Sequence, residues 1–194
     1  MTAIFSIGWF VIKQSTEGVI LSCNWRGGHP LPWLLIRKTD EMDLILWRHA
    51  EAVLIEDGQQ DADRMLTARG ERQAIRMSKW LERQLPEGAK ILCSPTIRTE
   101  QTVTPLGRKF KFRDEISPQA TVEHALELAQ WPNAKNPMVF VSHQPLIGQI
   151  VSTLLDIPDK DLVIKKGSVW WLRHRVKDGL SKTMLVAVQS ADML

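Results

Sequence analysis

Met42-Asp43-Leu44-Ile45-Leu46-Trp47 is a short run, apolar on both faces of an extended chain, that leads straight into Arg48-His49 and then a polar loop. A strand hidden on both sides belongs inside a sheet covered by helices, which is the habit of parallel α/β proteins. Reading forward, Thr67 opens a helix with Ala74, Met77, Trp80, Leu81 and Leu85 as its buried stripe, stopped by Pro86 and Gly88. Lys90–Cys93 reads as a second strand. Ser94-Pro95 after it reads as a capped helix start, the helix running to about Phe110. A weak strand near Phe112, a helix from about Thr121 to Gln130, a buried strand at Met138–Ser142 and a helix at Pro145–Leu155 follow. Ser168–Val176 and Thr183–Gln189, joined across Lys177-Asp178-Gly179, predict a closing hairpin. The alternation predicts an α/β fold: a three-layer sandwich with a mostly parallel central sheet, helices on both faces and a C-terminal antiparallel hairpin.

Reading backward from Met42, residues 1–41 hold Gly27, Gly28, Pro30 and Pro32 and keep neither a helical nor an alternating period for long. They are expected to be an N-terminal extension, either a disordered arm or the product of a start codon placed ahead of Met42, with the folded domain spanning 42–194.

The 194 residues are 44% hydrophobic and 24% charged, which excludes a disordered chain, and two cysteines, Cys23 and Cys93, exclude a disulfide miniprotein. A net charge of +3, with the basic residues scattered, argues weakly for nucleic acid and better for a phosphate-sized anion. The longest apolar stretches, around Ala3–Ile12 and Leu31–Ile36, fall far short of the roughly 20 residues that span a bilayer. No secretory signal is evident in MTAIFSIGWF, so a cytoplasmic protein is expected, with no nucleic-acid or membrane partner.

In an open α/β sheet, ligands bind at the carboxyl ends of the strands. Three predicted strands end in reactive residues: Arg48-His49, Cys93-Ser94-Pro95 with Arg98 one turn on, and Ser142-His143. Neighbours in a strand point to opposite faces, so Arg48 and His49 can share a site only if the strand stops there. Two arginines and two histidines converging beside a helix start make a site for a dianion. Singly, each has a bland reading. His29, His124 and His174 are read as structural or surface histidines, Arg98 alone would be a solvated helix residue, and Cys93 a small buried hydrophobe.

Rival chemistries fail on spacing. A cysteine phosphatase needs five residues between its thiolate and arginine, and Cys93 and Arg98 have four between them. Asp61-Ala62-Asp63 resembles an aspartyl nucleophile pair, yet no buried strand precedes it, so both acids are read as loop solvation. Walker loops, H-E-x-x-H and paired cysteine ligands are absent, which leaves no case for a metal or a cofactor.

Leu44–Ala52 (LILWRHAEA), Arg64–Gly70 (R-x-L-T-x-x-G), Ser94–Thr102 (S-P-x-x-R-x-E-Q-T) and Ser142–Gly148 (S-H-x-P-L-I-G) together resemble the histidine phosphatase superfamily, most nearly its SixA-type phosphohistidine phosphatases. The resemblance implies a phosphoglycerate-mutase-like fold and a metal-independent phosphatase with His49 as nucleophile. It also implies that Arg48, Arg98 and His143 bind the phosphoryl oxygens. Arg64 and Glu51 are candidate substrate contacts, and Glu51, Asp114 and Glu115 are candidate general acids. Gln101 and Thr102 are expected to pack or cap. The superfamily usually has Gly after the nucleophile where this chain has Ala50, which would be costly if the backbone there needed positive φ.

No long helical insertion fits between Phe110 and Met138, so the pocket is expected to be open to a phosphorylated side chain on another protein. The expected partner is a phosphohistidine-bearing protein such as a phosphotransfer or sugar-transport relay component, met by a monomer. The alternatives are a small-molecule phosphomonoesterase of the same superfamily and a non-catalytic phospho-binding module.

Overall fold

A computed structural model of the chain describes residues 10–15, 18–23, 41–159 and 162–194. Within the extension, β1 (Phe10–Ser15) and β2 (Gly18–Cys23) pair antiparallel as a sheet of their own, so two regular elements lie where the sequence pattern suggested none.

The decisive apolar run forms β3 (Glu41–Arg48), buried from Met42 to Trp47. The strand starts at Glu41, one residue inside the expected extension, and Glu41 is tied down by Arg173 and Arg175. Both faces of β3 are used. Leu44 and Leu46 join a core with Phe140, Ile147 and Val151, while Ile45 and Trp47 join the opposite core with Met77, Leu81 and Val141. That two-sided burial is why the run carries no polar alternation.

One face is covered by α1 (Ala68–Gln84) and α2 (Ile97–Val103), the other by α3 (Val122–Leu128) and α4 (Leu146–Leu154). Between these layers lie β4 (Lys90–Cys93), β5 (Phe110–Phe112), β6 (Met138–Ser142), β7 (Val169–Lys177) and β8 (Leu180–Gln189), in the order β5-β4-β6-β3-β7-β8. Contacts from β5 to β3 are parallel, and those of β3 with β7 and β7 with β8 are antiparallel, so the expected three-layer α/β architecture is the one observed. Asp178 and Gly179, at φ 53° and 76°, make the turn of the closing hairpin. No helix among the described residues is long and apolar enough to cross a membrane.

One boundary differs with a physical cause. The helix expected to run from Ser94 to about Phe110 is only α2 plus a 3-10 turn at Thr104–Leu106. Pro105 offers no N–H to continue it, and Gly107, at φ 69°, turns the chain away. The N-cap position is Thr96, with no side-chain cap, and the Ser94 hydroxyl goes elsewhere.

Candidate active site

Register builds the site. Arg48 lies opposite Ser142, and Cys93 lies opposite Val141, so β3, β4 and β6 end at one level of the sheet. The next residues continue the ladder: the His49 N–H donates to the Ser142 carbonyl at 3.0 Å, and the Ser94 N–H to the Val141 carbonyl at 3.0 Å. β3 stops at Arg48, as a site shared by Arg48 and His49 demands.

His49 is 6% exposed and His143 2%. Their ring centroids are 5.2 Å apart and tilted by 53°. Nδ1 of His49 lies 2.7 Å from the Ala50 carbonyl oxygen. A carbonyl only accepts, so Nδ1 carries the proton and Nε2 keeps its lone pair. Nε2 of His143 lies 2.8 Å from the Ser94 hydroxyl, and its buried Nδ1 has no hydrogen-bond partner among the described residues.

The arginines complete the cluster. Arg48 donates from Nη1 to the Ile164 carbonyl, and its buried Nε has no partner among the described residues. Arg98, 3% exposed, donates to the backbone carbonyl and, at 2.7 Å, to the carboxylate of Asp61; its buried Nε likewise has no partner among the described residues. Burial lowers the affinity of both histidines for protons, and the cations Arg48 and Arg98 lower it further. His49 is brought down to about 3, with Lys166 assisting, and His143 to about 2. Both imidazoles are therefore neutral at pH 7. Burial pushes the Cys93 thiol up to about 12, far from a thiolate.

The flanking motif residues are a frame. The Ala50 N–H donates to the Thr102 hydroxyl at 3.0 Å, and that hydroxyl donates to the Arg98 carbonyl at 2.6 Å, linking the segments that carry His49 and Arg98. Gln101 accepts from the Leu66 N–H at 2.7 Å, and Gln73 from the Glu51 N–H at 3.0 Å. Ala50 is absent from the positive-φ residues, and its methyl packs with Ala52, Leu66 and Ala74, so the substitution for glycine carries no backbone strain. Gly70 and Gly148 are required by close approach: a Cβ would run into the Glu51 carbonyl oxygen at the first and the Leu162 carbonyl oxygen at the second.

The outer candidates fall differently. The Glu51 carboxylate is held by the Thr67 hydroxyl at 2.9 Å and by Arg69 at 3.5 Å. Arg64 donates to the Val53 carbonyl and to Asp61. Asp114 and Glu115 sit exposed in a 3-10 turn. Two residues outside the expected set belong to the cluster. Asp61 joins Arg64 to Arg98, and those arginines hold its carboxyl below the ordinary range, so its reading as loop solvation is corrected. Lys166 is half-buried on the loop before β7, where the Gly167 N–H donates to the His49 carbonyl at 3.0 Å. Lys165-Lys166-Gly167 just ahead of a strand was the available signal.

A neutral imidazole with a free lone pair, set among guanidinium groups and unpartnered buried N–H donors, can attack an electrophilic dianion and hold its oxygens. The fold is an α/β sandwich, and the site is a cationic cluster around two neutral imidazoles at the strand ends. The sequence pattern of the histidine phosphatase superfamily (branch 1) matches residues 44–122. The chain is 30% identical over 129 residues to the phosphohistidine phosphatase SixA homolog of Haemophilus influenzae, covering 58% of this chain and 77% of that protein. It is 30% identical over 121 residues to Escherichia coli phosphohistidine phosphatase SixA, covering 58% and 74%. Among solved structures, a protein histidine phosphatase SixA in complex with tungstate superposes with a TM-score of 0.62 at 23% identity, covering 78% of this chain and 99% of that one. A phosphoserine phosphatase variant from Entamoeba histolytica bound to phosphoserine shares the fold, with a TM-score of 0.59 at 16% identity over 79% of this chain and 99% of that one. The chain belongs to the histidine phosphatase superfamily, in its SixA-type branch, and is a hydrolase.

Proposed function

We propose that the protein is a metal-independent phosphatase that removes the phosphoryl group from phosphohistidine on a partner protein by way of a phosphorylated His49. The observation that carries the reading is the 2.7 Å contact of His49 Nδ1 with the Ala50 carbonyl, which leaves Nε2 as the nucleophilic atom. Nε2 attacks phosphorus as the substrate P–N bond breaks, and the departing imidazole leaves with a proton. Water then attacks phosphorylated His49, releasing inorganic phosphate and restoring the imidazole. Arg48 and Arg98 balance the charge on the phosphoryl oxygens. With the Ser94 hydroxyl donating to His143 Nε2, the Nδ1–H of His143 is a further donor to them.

Two features favour a protein substrate over a metabolite. Between β5 and β6 the chain makes only a 3-10 turn and the seven-residue α3, with no helical insertion to close over the site. A phosphoramidate leaving group can also be protonated before cleavage, so it demands little of a general acid, and the Glu51 carboxylate is already engaged by Thr67 and Arg69. We place this enzyme in the cytoplasm, where its proposed phosphoprotein partner would meet it.

The test is hydrolysis of a phosphohistidine protein against a panel of phosphorylated metabolites, with His49→Ala alongside. The proposal expects a higher kcat/KM for the phosphoprotein, activity that survives EDTA and yields to vanadate, and no turnover in His49→Ala. Undiminished turnover in that variant would sink the nucleophile. A strong preference for one metabolite would overturn the substrate alone.

A further inference from the structure

Away from the histidine cluster, a cleft of about 860 Å³ lies along β4 and β5 and the segment that follows α3. Leu92, Leu128 and Met138 line its apolar part. Lys90, Lys109, Lys111 and Arg113 line it as well; all four are exposed, and none is ion-paired among the described residues. Arg108 also borders the cleft but is occupied by Glu82 at 3.1 Å, and no acidic residue lines it among the described residues.

The cations are ordered. Lys109, Lys111 and Arg113 alternate with Phe110 and Phe112, so the three share one face of the strand, the face of Leu92, which lies in register with Lys111. Their spacing along the chain is about 6.6 Å, two residues of extended backbone. The Arg113 N–H donates inward to the Cys93 carbonyl at 2.9 Å, which by the same alternation turns the backbone groups of Phe110 and Phe112 outward. β5 is the outermost strand of the six-stranded sheet. Phe112, 46% exposed, offers an apolar contact on the other face.

We propose that this edge is a docking site for an extended acidic segment of the partner protein, added beside β5 with acidic side chains at alternate positions opposite Lys109, Lys111 and Arg113. Intervening apolar side chains lie toward Phe112. The period of the cations equals that of a strand, so one extended segment meets all three, and backbone pairing to the open edge supplies the rest of the affinity. β5 stands three strands from β3, about 14 Å at usual strand spacing, so one protein can seat a phosphorylated side chain at His49 and reach this edge. The identity of the partner as substrate rests on the function proposed above; the acidic docking site does not.

The experiment titrates a labelled peptide of alternating glutamate and leucine into the full chain, then into the K109E/K111E/R113E variant and the milder K111E. The site predicts saturable binding, weakened about tenfold or more in the triple variant, in the same direction in K111E, and by added salt. It also predicts a raised KM for a phosphohistidine protein with hydrolysis of p-nitrophenyl phosphate unchanged. Equal peptide affinity in the native chain and both variants overturns the proposal, as does a lysine-leucine peptide binding as well. Binding of inorganic polyphosphate without binding of the acidic peptide would overturn it in favour of a simple anion site. Absence of phosphatase activity with peptide binding intact would strike the proposed function and leave the docking site standing.

Discussion

Asp61 Oδ2 lies 2.7 Å from Nη2 of Arg98, while the other carboxylate oxygen of Asp61 lies 2.9 Å from Arg64. A nearly buried guanidinium thus carries its own counter-charge, and under the proposed function that carboxylate competes with the phosphoryl group for Arg98.

Asp61→Asn keeps the shape and removes the charge. We expect inorganic phosphate and vanadate to inhibit this variant at roughly fivefold lower concentration, the scale of about 1 kcal/mol for one nearby screened charge. Inhibition constants measured at fixed pH decide it; weaker inhibition would mean that the carboxylate chiefly positions Arg98.

Ser94→Ala removes the hydroxyl 2.8 Å from His143 Nε2 and frees the ring to change tautomer or turn. The expected result is a fall in kcat of about tenfold with KM little changed, alongside a loss of roughly 1 kcal/mol of stability from the broken buried hydrogen bond. Steady-state kinetics beside a melting curve would expose a purely structural role, since that would lower the melting temperature and leave kcat unchanged.

The neutral histidines give stability a pH signature. In the folded chain His49 titrates near 3 and His143 near 2, whereas both return to about 6.5 on unfolding. Below pH 6.5 the unfolded state binds protons that the folded state refuses, so each contributes stability that is complete above 6.5. That stability is lost at about 1.4 kcal/mol per pH unit as pH falls toward 3. Melting temperature should decline over this window and less steeply in His143→Gln; ring proton resonances of both histidines that titrate near 6.5 would contradict the burial argument.

Gly148→Ala places a methyl against the Leu162 carbonyl, and Gly70→Ala places one against the Glu51 carbonyl. Each is expected to cost about 1–3 kcal/mol by overpacking. Differential scanning calorimetry should register a drop of about 2–4 °C for every kcal/mol in a chain of this size. Unchanged melting would mean that those backbones yield freely.

A chain beginning at Glu41 retains the ion pairs to Arg173 and Arg175 and every strand of the six-stranded sheet. It is expected to fold and to hydrolyse phosphate esters as the full chain does. Aggregation, or a melting temperature well below that of the full chain, would make the extension part of the core.

What the sequence disclosed was local chemistry and periodicity. Met42–Trp47 announced a buried strand because apolar residues on both faces have one plausible home, and Arg48, His49, Arg98 and His143 announced a site because strand ends share an edge. Partner choice was hidden. Ser94-Pro95 reads as a helix cap to any local rule, yet His143, 49 residues away, takes its hydroxyl. Asp61 looks like a solvated loop acid until the fold brings Arg98, 37 residues on, against it. Lys166 acquires meaning only once Gly167 packs on the His49 carbonyl.

The register of Arg48 with Ser142 has a kinetic corollary. Parallel strands this far apart in the chain close late in folding, because long loops must be ordered before their contacts repay the entropy. A slip of one residue between β3 and β6 would turn His49 to the opposite face and part it from His143. With His49 as the proposed nucleophile, catalysis is an all-or-none gauge of strand alignment: in a refolding time course, turnover should return with the slowest structural phase, after helical signal has recovered, with no partly active species on the way.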